Sequence, residues 1–138
     1  MAAHNKQLTD KLQSLLAKRP EVLFAYLFGS RARGQAGPLS DTDVAVFIDP
    51  SVDPFNARLV IIEELMRLIG DDRVDVITLN DASPVLRHAV ISDGIVVKEE
   101  KNLRTTFEEQ ATSEYLDTAH LRATHDAALK RRLAEQAT

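Results

Sequence analysis

Seven consecutive apolar residues, Val22 to Phe28, constrain the fold of this chain more than any other feature. Both alternating side-chain faces of the segment are apolar, which is typical of a strand covered on two sides. The segment therefore predicts a central strand in a sheet. A chain of 138 residues matches one ordinary domain. We expect a single domain over residues 1–138, with a core at about 20–98 and a helical tail at about 101–135.

The remaining periodicity predicts the element order α β β α β α β α. Leu8, Leu12 and Leu15 recur at helical spacings of four and three, which indicates a first helix. The segments Thr42 to Ile48 and Arg73 to Leu79 are rich in β-branched residues and predict two more strands. We expect these two strands and the central strand to pair with one another.

The helix between these two strands has clear end signals. Asp53 and Pro54 form an N-cap followed by proline at the first helical position, and Gly70 is a stop signal. Apolar residues at spacings of four and three fill the interval and predict a helix: Phe55, Leu59, Ile62, Met66 and Ile69.

The C-terminal part predicts mostly helix. A short helix begins at Ser83 and leads through Gly94 into a short strand at 95–97, and from about residue 101 the composition favours helix. Phe107, Tyr115 and Leu116 lie on this last helix. They either contact a partner or cover the sheet of their own domain, and the sequence leaves both alternatives open.

Composition excludes several classes of protein. The chain has no cysteine, so zinc ribbons, thiol catalysts and disulfide scaffolds are excluded. Its net charge of -4 and its pI of about 5.5 give no sign of a protein held on nucleic acid by bulk charge. No apolar run approaches the roughly 18 residues of a membrane span. We expect a cytoplasmic protein without direct nucleic-acid or membrane contacts.

The chemistry is concentrated where the central strand ends. Gly29 and Ser30 follow this strand. The missing side chain of Gly29 lets a ligand approach the backbone, and the exposed N–H groups and the Ser30 hydroxyl suit a phosphate. After ten more residues come Asp41 and Asp43, two apart on the next strand, so both side chains point to the same face. Carboxylates in this arrangement suit Mg²⁺, which is usually bound through one or two carboxylates together with substrate phosphates.

A third carboxylate, Asp75, lies among β-branched residues in the third strand, where a charge is unexpected. If this strand lies beside the second one, Asp75 completes a trio with Asp41 and Asp43. It would then ligate the metal nearest the attacking hydroxyl and help to remove its proton. Two cations held in this way suit phosphoryl-type transfer. Arg33, in the loop, would meet donor phosphates or a partner.

The pattern Gly-Ser, ten residues, Asp-x-Asp and a later strand aspartate resembles the nucleotidyltransferase superfamily related to DNA polymerase β, in particular its minimal, MNT-type members. The resemblance covers roughly residues 22–97 and implies an α/β (α+β) fold with a mixed sheet flanked by helices and followed by a C-terminal helix. It also implies ATP as donor, two Mg²⁺ ions, and Asp41, Asp43 and Asp75 as their ligands.

Small MNT proteins resemble the antitoxin half of HEPN/MNT toxin–antitoxin pairs. This resemblance implies a type VII-like antitoxin that transfers AMP to a tyrosine of a HEPN ribonuclease, in a hetero-oligomer with that toxin. The Arg, four to six residues, His spacing of a HEPN ribonuclease is missing here, so the chain would be the modifier. Two alternatives remain: nucleotidyl transfer to a small acceptor such as an aminoglycoside, and an antitoxin that acts by binding alone.

Overall fold

The computed structural model describes residues 2–29, 32, 41–100 and 102–137. In chain order its elements are α1 (Ala2–Ala17), β1 (Val22–Phe28), β2 (Thr42–Ile48), α2 (Pro54–Ile69), β3 (Val74–Thr78), a 3-10 turn (Leu79–Asp81), α3 (Pro84–Asp93), β4 (Ile95–Lys98), α4 (Leu103–Asp117) and α5 (Ala119–Ala137). The predicted order is confirmed, with the C-terminal helical part divided in two. None of these helices is long and apolar enough to cross a membrane.

Within the described part of the chain, four strands form one mixed sheet in the order β3-β2-β1-β4. β1 lies inside the sheet, antiparallel to both β2 and β4, which confirms the prediction of a central strand. β2 and β3 are parallel, and α2 is the crossover helix that parallel neighbours require. The connection places the starts of β2 and β3 at the same end of the sheet.

Both faces of the sheet are covered, as the doubly apolar strand β1 predicts. Alternate residues along each strand point to opposite faces. One face packs against α1 and α2 through buried residues that include Leu12, Leu16, Ala25, Leu27, Val44, Val46, Ile61 and Leu65. The other face packs against α3 and α4 through Phe24, Tyr26, Ala45, Val90, Phe107 and Ala111. The sheet therefore separates two apolar layers.

Helix α2 begins and ends where the sequence predicts. The side chain of Asp53 accepts a hydrogen bond of 3.1 Å from the backbone N–H of Phe55, and Gly70 closes the helix at φ +73°. The buried side, however, consists of Ala57, Ile61 and Leu65. Phe55 is 64% exposed and Leu59 46% exposed, although both carried the helical periodicity.

Helix α4 is fixed to the sheet by a polar contact inside the second apolar layer. The buried hydroxyl of Tyr26 donates a hydrogen bond of 2.8 Å to Oε1 of Glu108, and Arg104 donates one of 2.7 Å to the same oxygen. Burial raises the pKa of Tyr26 well above its usual value, and Glu108 raises it further. The phenol therefore stays protonated and acts as a donor.

The C-terminal helices divide at Thr118. Just before this point, the ring of Tyr115 stacks on His88 with 3.7 Å between centroids, and the guanidinium carbon of Arg122 lies 3.8 Å from the Tyr115 centroid. Phe107 is buried and covers the sheet of its own domain, whereas Leu116 is exposed. Of the two alternatives, contact with a partner or packing on the sheet of its own domain, the structure therefore supports the second for Phe107.

Candidate active site

The first part of the site is the close approach between the end of β1 and the start of β2. Phe28 and Asp43 are register partners in the antiparallel pair, so the residue after Phe28 lies beside the Asp43 side chain. That residue is Gly29, at φ +78°, where side chains are strained. A β-carbon added to Gly29 would lie 2.5 Å from Oδ2 of Asp43. Glycine is therefore favoured here by backbone conformation, and any β-carbon at this position would displace the Asp43 carboxylate.

The second part is a group of carboxylates at the common start of β2 and β3. Asp41 directly precedes β2, Asp43 lies within it, and the parallel register pairs Asp43 with Asp75 of β3. Asp43 alternates with Ala45 along β2, so it points to the face covered by α3 and α4. The structure therefore confirms that the third strand lies beside the second. This pairing was the condition on which we expected Asp75 to join Asp41 and Asp43.

Negative charge accumulates at this group. Desolvation by burial raises the pKa of Asp43 above its ordinary value, and the charges of Asp75 and Asp41 raise it further. Like charges held close together are costly unless a cation compensates for them. The electrostatics therefore favour a cation in contact with Asp43.

The donor set fits Mg²⁺, a hard cation that takes oxygen ligands. Within the described residues, no group of three or more His, Cys, Asp or Glu side chains is already arranged to hold a metal ion. Mg²⁺ usually retains several waters and is held through one or two carboxylates plus substrate phosphates. Asp43 with Asp41 or Asp75 can therefore supply the protein share of such a shell, completed by the donor.

One residue beside this group was not predicted from the sequence. Nε of Arg58, on α2, donates a hydrogen bond of 2.6 Å to the backbone oxygen of Val76, and its Nη2 lies 3.6 Å from Oδ1 of Asp75. The sequence does signal that α2 lies against the third strand, because parallel strands need a crossover helix. It does not show which side chain of α2 reaches the strand.

Two predicted nucleotide-binding residues, Ser30 and Arg33, lie outside the described residues, and their roles remain predictions. Gly29, Asp41, Asp43 and Asp75 lie within the described part, at the same end of the sheet. Their arrangement brings a side-chain-free backbone next to an acidic group. This combination can receive a phosphate chain and the cations that accompany it.

Comparison with known families agrees with this geometry. The model of the family described as "Polymerase beta, Nucleotidyltransferase" matches residues 10–103, which contain the glycine and all three aspartates. The chain belongs to this family and is a nucleotidyltransferase. The resemblance seen in the sequence is confirmed.

More particular relatives are adenylyltransferases and antitoxins. The chain is 36% identical over 103 residues to "Protein adenylyltransferase MntA" of Aphanizomenon flos-aquae (strain 2012/KM1/D3), with 68% of each chain aligned. Among solved structures, it is similar to a toxin–antitoxin complex with AMP-PNP, with a TM-score of 0.72, 28% identity and coverage of 91% of this chain and 98% of that one. A second is the complex of a tri-AMPylated HEPN toxin from Shewanella oneidensis with its MNT antitoxin, with a TM-score of 0.65, 27% identity and coverage of 96% and 99%.

Proposed function

We propose that this chain is an antitoxin that transfers AMP from ATP to a tyrosine of a HEPN ribonuclease and so neutralises it. The observation that carries the proposal is the juxtaposition of Gly29 with Asp43, and of Asp43 with Asp75. This arrangement supports a site at which a triphosphate, a cation and an acceptor hydroxyl would meet. The similarity to MntA and to a complex with a tri-AMPylated toxin supports protein as the acceptor.

In this reaction the phenolic oxygen of the acceptor attacks the α-phosphorus of ATP. A new oxygen–phosphorus bond forms, the bond from the α-phosphorus to the oxygen that bridges to the β-phosphate breaks, and pyrophosphate leaves. The phenolic proton is lost on the Asp75 side, where a carboxylate is available to help remove it. The products are an AMP-tyrosine ester and pyrophosphate.

The residues of the chain position these groups and balance their charge. The backbone at Gly29 would leave room for the phosphates beside Asp43, and the Ser30 hydroxyl would donate a hydrogen bond to them. Asp41, Asp43 and Asp75 would hold Mg²⁺, and the ion would supply neutralisation of the charge that develops on the attacking and leaving oxygens. In phosphoryl-type transfer, positioning and charge neutralisation supply nearly all of the catalysis.

The test uses ATP labelled at either the α- or the γ-phosphate. The acceptor is the HEPN protein that the proposal expects to be encoded in the adjacent reading frame. With Mg²⁺ present, label from the α-phosphate should appear on that protein and label from the γ-phosphate should not. Replacement of the acceptor tyrosine by phenylalanine should remove the label. Transfer to a free aminoglycoside, with none to the protein, would instead establish a small-molecule nucleotidyltransferase.

A further inference from the structure

Strand β3, which carries Asp75, is an edge strand of the sheet. It pairs with β2 along one side, and in the described part of the chain no strand pairs with its other side. An unpaired edge leaves backbone carbonyls without sheet partners. The carbonyl of Val76 points to this outer side and accepts the 2.6 Å hydrogen bond from Nε of Arg58. A side chain of α2 thus takes the place that a neighbouring strand would occupy.

The two ends of β3 have their own attachments to β2. Before its first residue, the N–H of Thr42 donates a hydrogen bond of 2.9 Å to the oxygen of Arg73. Beyond its last residue, the amide of Asn80 bonds both backbone groups of Ile48, at 2.9 and 2.7 Å. Neither attachment contacts the outer side of the strand at its middle. Arg58 does, next to Asp75.

The same guanidinium reaches the carboxylate beside this carbonyl. Nη2 of Arg58 lies 3.6 Å from Oδ1 of Asp75, the residue before Val76. One side chain therefore contacts both the backbone of β3 and its acidic group. Because Asp75 and Asp43 are register partners, a shift of β3 changes the distance between their carboxylates.

We propose that Arg58 is a positioning residue that holds Asp75 at the spacing from Asp43 at which the two carboxylates share a divalent cation. The inference rests on the proposed function, since it concerns the same metal-dependent site. In this role Arg58 acts through its contacts with Asp75 and Val76. Groups that orient metal ligands in this way typically contribute 10–100-fold to metal affinity or activity.

Removal of the arginine charge separates positioning from simple electrostatics. If Arg58 were only a nearby positive charge, its loss would make the net charge around the carboxylates more negative, and cations would bind more tightly. If Arg58 positions Asp75, its loss releases the ligand and cations bind more weakly. The two accounts predict changes of opposite sign in the same measurement.

The test is a titration of the full chain with Mn²⁺ alone, followed by electron paramagnetic resonance of the free ion. Arg58→Met keeps an unbranched apolar stem and removes the guanidinium donors, and we expect it to weaken Mn²⁺ binding by about 10-fold. Arg58→Lys keeps one donor and should restore part of the affinity. Arg67→Met is the matched control, because Arg67 lies on the same helix and pairs with exposed Glu63.

Amide hydrogen exchange of β3 provides a second measurement. The N–H groups of Asp75 and Ile77 point toward β2, and their exchange should accelerate in Arg58→Met and remain unchanged in Arg67→Met. Unchanged or tighter Mn²⁺ binding by Arg58→Met would overturn the assignment, as would unaltered exchange. Failure of the unmodified chain to bind Mn²⁺, both alone and together with a non-hydrolysable ATP analogue, would reject the metal-dependent function itself, and the role of Arg58 with it.

Discussion

A β-carbon on Gly29 would lie 2.5 Å from Oδ2 of Asp43. The carboxylate group is the movable end of a side chain, so a methyl group at position 29 would turn it away before it disrupted the backbone. This relationship couples the strand end that would receive phosphates to the acid that would hold their cation. It predicts a variant in which the site is damaged more than the fold.

Gly29→Ala and Gly70→Ala should separate these effects. Both glycines have φ between +70° and +80°, at +78° and +73°, but nothing lies within 4 Å of a β-carbon at Gly70. Each substitution should cost about 1–2 kcal/mol in unfolding free energy from the left-handed backbone alone. Displacement of Asp43 should lower AMP transfer by about 100-fold in Gly29→Ala only. Urea unfolding and transfer assays on both variants check this, and equal activity in the two would contradict the proposed geometry.

Asp43→Asn should stabilise the protein in the absence of metal. The pKa of Asp43 is raised in the folded state, so its ionised form opposes folding at neutral pH, and this cost disappears as pH falls through the folded pKa toward the unfolded value of about 3.9. In EDTA at neutral pH, we therefore expect a higher melting temperature for the variant. The difference should vanish near pH 4. A lower melting temperature for Asp43→Asn at neutral pH would show that the carboxylate carries no such penalty.

Tyr26→Phe should reduce stability without changing the chemistry. The substitution removes the hydroxyl that donates to Glu108, while Arg104 remains bonded to the same oxygen. We expect a loss of about 1.5 kcal/mol in unfolding free energy, measured by urea denaturation. Tyr115→Phe is the control, because that hydroxyl has no hydrogen-bond partner among the described residues. An equal loss in both variants would assign the effect to something other than this hydrogen bond.

The sequence predicted the parts of the structure that local chemistry determines. β1 and β2 have the predicted bounds, since both are short and mostly apolar segments, and α2 begins at Pro54 because Asp53 caps it. The burial of Ala57 in place of Phe55 was not predictable, because the side of a helix that meets a sheet depends on how the two pack.

The acidic residues of the candidate site were predictable from the sequence, but the contact that Arg58 makes beside them was not. The spacing of Asp41 and Asp43 indicated a shared face, and the neighbouring position of Asp75 required only that the second and third strands pair. The contact of Arg58 with Val76 was not predictable, since it joins residues 18 positions apart in two packed elements. A long side chain on a crossover helix can reach the strand edge, but periodicity does not show which one does.

We expect Asp41 and Asp43 to serve catalysis and not association with the proposed HEPN partner. A chain with both Asp41→Asn and Asp43→Asn should still copurify with the proposed HEPN partner, because isosteric amides preserve shape while removing the charge that would hold the cation. Intact-mass spectrometry of the partner, after incubation with ATP and Mg²⁺, is the direct measurement. The unmodified chain should add AMP to the partner, and the double variant should add none and lose most protection in cells. A fully protective double variant, with the partner unmodified by either chain, would contradict the account and establish an antitoxin that acts by binding alone.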